Sequence, residues 1–146
     1  MKLSTRTRYG TRAMLDLALA YRSGPVSARV IGQNQGVSHK YLESLLAALG
    51  NVGLIRSVRG ARGGHVLARP PDQITLREIF CALEGCDGFV HCTTDPQVCD
   101  RAKTCVTQEV WARMYAACME ILESTTLEDL ADRAKKKGSS AHMYHI

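Results

Sequence analysis

Apolar positions in the N-terminal part of the chain recur with helical spacing. Met14, Leu17, Ala18 and Tyr21 fall at i, i+3, i+4 and i+7, which predicts a helix over 5–21 that Gly24-Pro25 brings to a stop. Ser27 is placed to cap a short helix over 28–35 carrying Val30 and Ile31, and Gly36-Val37-Ser38 then turns the chain into another helix. That helix, 39–49, gathers Leu42, Leu45, Leu46 and Leu49 on one face and leaves His39, Lys40, Glu43 and Ser44 on the other. After Gly50-Asn51-Val52-Gly53, strands are predicted at 54–58 and 65–68, joined by the glycine-rich turn Arg59-Gly60-Ala61-Arg62-Gly63-Gly64.

Pro70-Pro71 closes this unit, and Thr75 with Glu78 has the spacing of a capping box opening a helix over 76–84. Periodicity then disappears from 85 to 105, a loop long enough to require a function or a staple. It returns over 106–123, where Val110, Trp111, Met114, Tyr115, Cys118, Ile121 and Leu122 form a stripe too long to pack on its own chain alone. Thr125 and Glu128 are spaced to cap a last short helix, and the lysine-rich segment from Lys135 reads as frayed. The expected division is a helix-turn-helix and hairpin region at 1–71, a cysteine loop with two helices at 72–134, and a flexible tail at 135–146. The expected fold class is mainly α with a small two-stranded β wing.

The 146 residues, 45% hydrophobic and 23% charged, suit one compact domain with a small appendage. No stretch approaches the roughly 20 apolar residues of a membrane span. Lys2, Arg6, Arg8 and Arg12 ahead of an Ala18-Leu19-Ala20 triplet resemble an export signal weakly, but Asp16 interrupts the apolar region, so a cytoplasmic protein is expected. Charge divides the chain: residues 1–71 carry 11 Lys or Arg against Asp16 and Glu43, a net +9, and residues 72–146 carry 8 against 12 acids, a net −4. A basic half without long charge runs points to a folded surface that meets a polyanion, most often nucleic acid.

A helix, a tight turn, a helix and a basic hairpin together make a winged helix-turn-helix, whose second helix enters the major groove of double-stranded DNA. Ser38, His39, Lys40, Tyr41 and Ser44 are then candidate base or phosphate contacts, and Glu43 a candidate acceptor for cytosine N4. Arg59 and Arg62 offer guanidinium donors at the wing tip, and Gly60 lets the backbone come close. The Gly60-x-x-Gly63 pattern is shared with an RNA-binding loop that joins two helices, whereas here it joins strands. Neither a phosphate-binding Gly-Lys-Ser/Thr loop nor a nucleophile–base constellation is present, so no enzyme is expected.

All six cysteines lie between Cys81 and Cys118. Cys81 and Cys118 fall on helix faces and read as small core residues, while Cys86 is open to either reading. The spacing of Cys92, Cys99 and Cys105 is too wide for zinc knuckles and suits a loop around an iron-sulfur cluster. Free surface thiols and a metal-free thiol–disulfide switch are the competing readings.

The chain resembles the IscR/NsrR/CymR-type bacterial transcriptional regulators. The resemblance is carried by Met1-Lys2-Leu3-Ser4-Thr5 with Arg8-Tyr9, by Ala13-Met14-Leu15-Asp16, by Tyr41-Leu42-Glu43, by Gly53-Leu54 through Gly63-Gly64, and by the three cysteines before Trp111. It implies a homodimer joined by the long helix and an operator with two-fold-related half-sites. It also implies, in several branches, a 2Fe-2S or 4Fe-4S cluster on Cys92, Cys99 and Cys105, of which 2Fe-2S is the expectation here. Gln108 stands where one branch has a histidine ligand, so the fourth ligand is open between Gln108, Glu109, His91 and a side chain from the partner subunit. The expected function is a regulator sensing redox, iron or nitric oxide status through that cluster; the alternative is a cluster-free regulator controlled by thiol oxidation or a partner protein.

Overall fold

The computed structural model describes residues 3–88 and 90–142. Its elements run α1 (Thr5–Leu19), α2 (Ala28–Gln35), α3 (His39–Asn51), β1 (Ile55–Val58), β2 (Gly64–Leu67), α4 (Leu76–Glu84), α5 (Val106–Glu123) and α6 (Leu127–His142), with one 3-10 turn between β2 and α4 and three between α4 and α5. The mainly helical fold with a two-stranded wing agrees with the sequence pattern.

Serine opens each of the first three helices in the same way. Ser4, Ser27 and Ser38 accept the backbone N–H of Thr7, Val30 and Tyr41 through their hydroxyl oxygens, each satisfying a donor the helix cannot pair itself. Gly36 takes the left-handed conformation that ends α2 (φ 65°), which fixes the sharp turn into α3.

The core is built from one face of each helix. Met14 and Leu17 of α1, Ile31 of α2, and Leu42, Leu45 and Leu49 of α3 are buried together with Ile79 and Leu83 of α4 and Leu127 of α6. Tyr21, expected in the α1 stripe, lies beyond the end of the helix and is largely exposed. Gly10 allows α1 and α4 to meet closely, because any Cβ there would run into the Leu83 side chain.

The wing is an antiparallel hairpin in which Ile55 pairs with Leu67 and Val58 with Gly64. A further bridge anchors it to the helical body: Val26 N–H donates to the His65 carbonyl at 3.0 Å, and His65 N–H donates to the Val26 carbonyl at 2.8 Å. Gly64 is required at this crossing, since a Cβ would sit 2.5 Å from the Val26 oxygen.

The C-terminal part departs from the sequence pattern in two places. The final helix is capped one residue later than expected, by a reciprocal pair in which Thr126 Oγ1 accepts the N–H of Asp129 and Asp129 Oδ2 accepts the N–H of Thr126. It also runs on through the lysines to His142 rather than ending before Lys135; lysine and alanine propagate helix well, and Gly138 costs only about 1 kcal/mol. On α5 the apolar stripe is largely uncovered by its own chain, in keeping with its length, and Met119, outside that stripe, is the buried residue of the helix.

Candidate nucleic-acid interface and cysteine pairs

The apolar face of α3 is consumed by the core, which forces its polar face outward. His39, Lys40, Glu43 and Ser44 are exposed, and Tyr41 is half-buried at the edge. His39 Nδ1 lies 3.6 Å from Glu43 Oε2, one helical turn away. Ser44 donates its hydroxyl to the Tyr41 carbonyl at 2.7 Å and keeps its oxygen free to accept.

Beside Glu43 the wing strands close a groove lined by Glu43, Asn51, Ser57 and His65. Ser57 Oγ lies 3.4 Å from His65 Nδ1. Burial lowers the His65 pKa below the ordinary histidine value, opposed by the Glu43 charge, so the ring is neutral near pH 7. At the tip, Arg59, Gly60 and Arg62 are exposed, and Gly60 holds φ at 119° while its carbonyl accepts the Gly63 N–H. The candidate DNA contacts therefore lie on α3, at its Ser38 N-cap or on the wing, exposed except for half-buried Tyr41.

Sequence reasoning overlooked further members of this surface. Arg56 projects from β1 and is exposed, as is Arg29 in the first turn of α2. From α1, the Arg12 guanidinium lies 5.8 Å over the Tyr9 ring, which meets Tyr41 edge-on at 6.3 Å. Arg56, the one charged residue of β1, and the basic, exposed face of α1 carried the signal. Arg69 belongs elsewhere, since it pairs with Glu78 of α4.

The cysteines are arranged differently from the expectation. Cys92 sits in the 3-10 turn His91–Thr93, Cys99 follows the turn Pro96–Val98, and Cys105 is the N-cap of α5. Among the described residues, no group of three or more His, Cys, Asp and Glu side chains is gathered closely enough to hold a metal ion. The expected iron-sulfur cluster on Cys92, Cys99 and Cys105 is therefore corrected. The physical reason is local: the loop winds into separate single turns, each closed by its own hydrogen bonds, such as Asp95 N–H to the His91 carbonyl and Ala102 N–H to the Cys99 carbonyl. Gln108, the candidate fourth ligand, instead donates its side-chain amide to the Cys92 carbonyl at 3.1 Å and braces the loop against α5. The Cys105 thiol is held below the ordinary cysteine pKa, first by the Thr107 hydroxyl 3.2 Å away and then by the Gln108 backbone N–H.

Cys81 and Cys86 form a disulfide across the end of α4, with Cα atoms 5.0 Å apart. Cys81 is thus no simple core residue. Gly85, at φ 88°, reverses the chain so that Cys86 returns over the last helical turn. Cys86 is exposed, and its carbonyl accepts the Tyr115 hydroxyl of α5 at 2.9 Å. On the other side, Glu84 accepts the Ser4 N–H and the Thr7 hydroxyl of α1. Cys118 is a half-buried free thiol in the wall of an apolar pocket of about 420 Å³ that also includes Phe80, Gly85 and Tyr115.

Residues 3–133 match the Rrf2 family, described as an iron-dependent transcriptional regulator. The chain is 41% identical to the transcriptional regulator CymR of Bacillus subtilis over 146 residues, the full length of both. Its fold is similar to that of T. potens IscR (TM-score 0.79, 39% identity, covering 94% of this chain and 90% of that one). It is also similar to the oxidized form of Staphylococcus aureus CymR (TM-score 0.72, 37% identity, covering 90% and 96%). None of the described helices is long and apolar enough to cross a membrane. With a helix-turn-helix, an arginine-bearing wing and a family match over nearly its whole length, the chain belongs to the Rrf2 family of DNA-binding transcriptional regulators, and it is not an enzyme.

Proposed function

We propose that this chain is a homodimeric regulator whose affinity for a two-fold-symmetric DNA operator is set by the thiol state of Cys81 and Cys86, without an iron-sulfur cluster. The observation that carries the reading is the position of the Cys81–Cys86 bond. It closes the last turn of α4 between the Glu84 contact to α1 and the Tyr115 contact to α5. Exposed Cys86 is open to exchange with solution oxidants and reductants. Oxidation removes two protons and two electrons from the two thiols, the electrons going to a disulfide or hydroperoxide oxidant. The oxidized state known for Staphylococcus aureus CymR is consistent with redox chemistry in a relative.

On this reading, Ser38, His39, Lys40, Tyr41, Glu43 and Ser44 face the major groove, and Arg59, Gly60 and Arg62 face the backbone or minor groove. The thiol pair acts on how two such surfaces are presented together, through α1 on one side and α5 on the other. The test begins by selecting operators from a random duplex pool. Binding is then measured by fluorescence anisotropy for wild type and Cys86→Ser, with dithiothreitol or with diamide. A change of about fivefold or more between redox states in wild type, absent in Cys86→Ser, is expected. Equal affinity in both states for wild type overturns the thiol reading while leaving DNA binding intact.

A further inference from the structure

The wing turns one face toward α3, and residues on that face recur at every second position. Ile55 and Leu67 are cross-strand partners there and are buried. Two residues nearer the tip, the next pair on the same face is Ser57 and His65. At this pair the apolar core ends and the groove shared with Glu43 begins. Serine and histidine in place of two more apolar residues set hydrogen-bonding groups opposite α3.

His65 is fixed from two directions. Its backbone N–H and carbonyl are both spent on Val26, so the ring does not drift with the wing tip. Burial keeps the ring neutral near pH 7, and the Ser57 hydroxyl, 3.4 Å from Nδ1, is placed to donate to it. The ring proton then sits on Nε2, which leaves one N–H for an acceptor in the groove. Glu43 is the acid among the groove's described lining residues, and its charge acts on His65.

Glu43 has use for such a partner. Its side chain is 60% exposed, and its neighbour on the same helix, His39, is itself 57% exposed. A free carboxylate loses rotamer freedom when it settles against cytosine N4, and one already held in place loses less. We infer that His65 is a positioning residue for base reading: its Nε2–H donates to the Glu43 carboxylate across the groove and holds it toward the base. The remaining lone pairs of the carboxylate stay free for cytosine. Ser57 acts one step further out, by fixing the ring tautomer. This deepens the operator reading proposed above and rests on it.

The test uses the full chain in dithiothreitol, with operators selected from a random duplex pool. The base pair whose preference is lost in Glu43→Ala marks the position read. Discrimination at that pair, the ratio of affinities for the selected and the substituted duplex, is measured by fluorescence anisotropy. The variants are His65→Phe, His65→Gln, Glu43→Ala and the double variant Glu43→Ala with His65→Phe, with circular dichroism melts for folding. His65→Phe is expected to lower the ratio about fivefold and to leave the salt slope of binding unchanged. His65→Gln, which keeps a neutral N–H donor in the place of Nε2, is expected to retain the ratio. In the Glu43→Ala background His65→Phe is expected to change nothing further, because the two side chains act as one unit. A full ratio in His65→Phe, or an equal loss with and without Glu43, overturns the positioning role. A Glu43→Ala variant that keeps the wild-type preference at every base overturns the base contact and the inference with it. A wild type that selects no sequence instead overturns the DNA reading itself.

Discussion

Thr7 donates its hydroxyl to Glu84 at 2.6 Å, joining the first turn of the first helix to the last turn of the fourth. Thr7 is the buried polar residue at this seam, and the same carboxylate oxygen also accepts the Ser4 N–H at 3.2 Å. One acid thus caps the entry to the DNA-binding half and marks the start of the loop that carries Cys86.

That contact makes a pH prediction. Hydrogen bonds from Ser4 and Thr7 hold the Glu84 pKa below its ordinary 4.5, so its contribution to stability is complete above the unfolded value and is lost as pH falls through the folded one. Glu84→Gln is expected to melt below wild type at pH 7, with the gap closing below about pH 4. Thermal melts of both proteins from pH 7 to pH 3 measure this, and a gap constant across the range contradicts it.

Removing an arginine at the wing tip should act without regard to sequence. Arg59→Ala is expected to weaken binding to all duplexes and to reduce the slope of log K against log salt by about one, the signature of one lost phosphate contact. Glu43→Ala should leave the slope unchanged and broaden the selected operator consensus, because a base acceptor is lost while a repulsive charge is removed. Salt titrations and selection from a random pool separate the two outcomes.

Operator binding should also change the redox poise of the Cys81–Cys86 pair, because coupling is reciprocal. For each tenfold difference in operator affinity between thiol states, saturating operator is expected to shift the midpoint potential by about 30 mV. Redox titration in glutathione buffers with and without the selected duplex reads this directly, and unchanged midpoints count against the coupling.

The wing anchor is sensitive to a single methyl group. Gly64→Ala would place a Cβ 2.5 Å from the Val26 carbonyl oxygen, a backbone atom that cannot swing aside. A loss of about 1–3 kcal/mol is expected from such overpacking. Gly50→Ala, where the nearest contact is 3.9 Å, serves as the tolerated control in the same urea titration.

Much of the DNA-binding half was legible in sequence because its signals are local. Leu42, Leu45, Leu46 and Leu49 occupy one helical face whatever surrounds them, and all are buried. The cysteines were harder to read. Residues five apart point to different sides of a continuous helix, so Cys81 and Cys86 meet only because the chain reverses at Gly85 between them. Spacing likewise gave no account of how three independent 3-10 turns would direct Cys92, Cys99 and Cys105. The α5 stripe was legible from its length, which exceeds what its own chain can cover, and Val110, Met114 and Ile121 are indeed exposed. Arg12 and Tyr9 were not read as neighbours of the α3 surface because their place beside Tyr41 depends on how α1 crosses α3.

The Val26–His65 bridge fixes the wing to the turn that precedes the second helix, so the helix-turn-helix and the wing form a stamp of constant shape. A stamp cannot adjust its own imprint. On the dimeric reading proposed above, whatever alters binding changes the separation or the tilt between two such imprints, and the spacer between half-sites, more than the bases within them, would then distinguish one thiol state from the other.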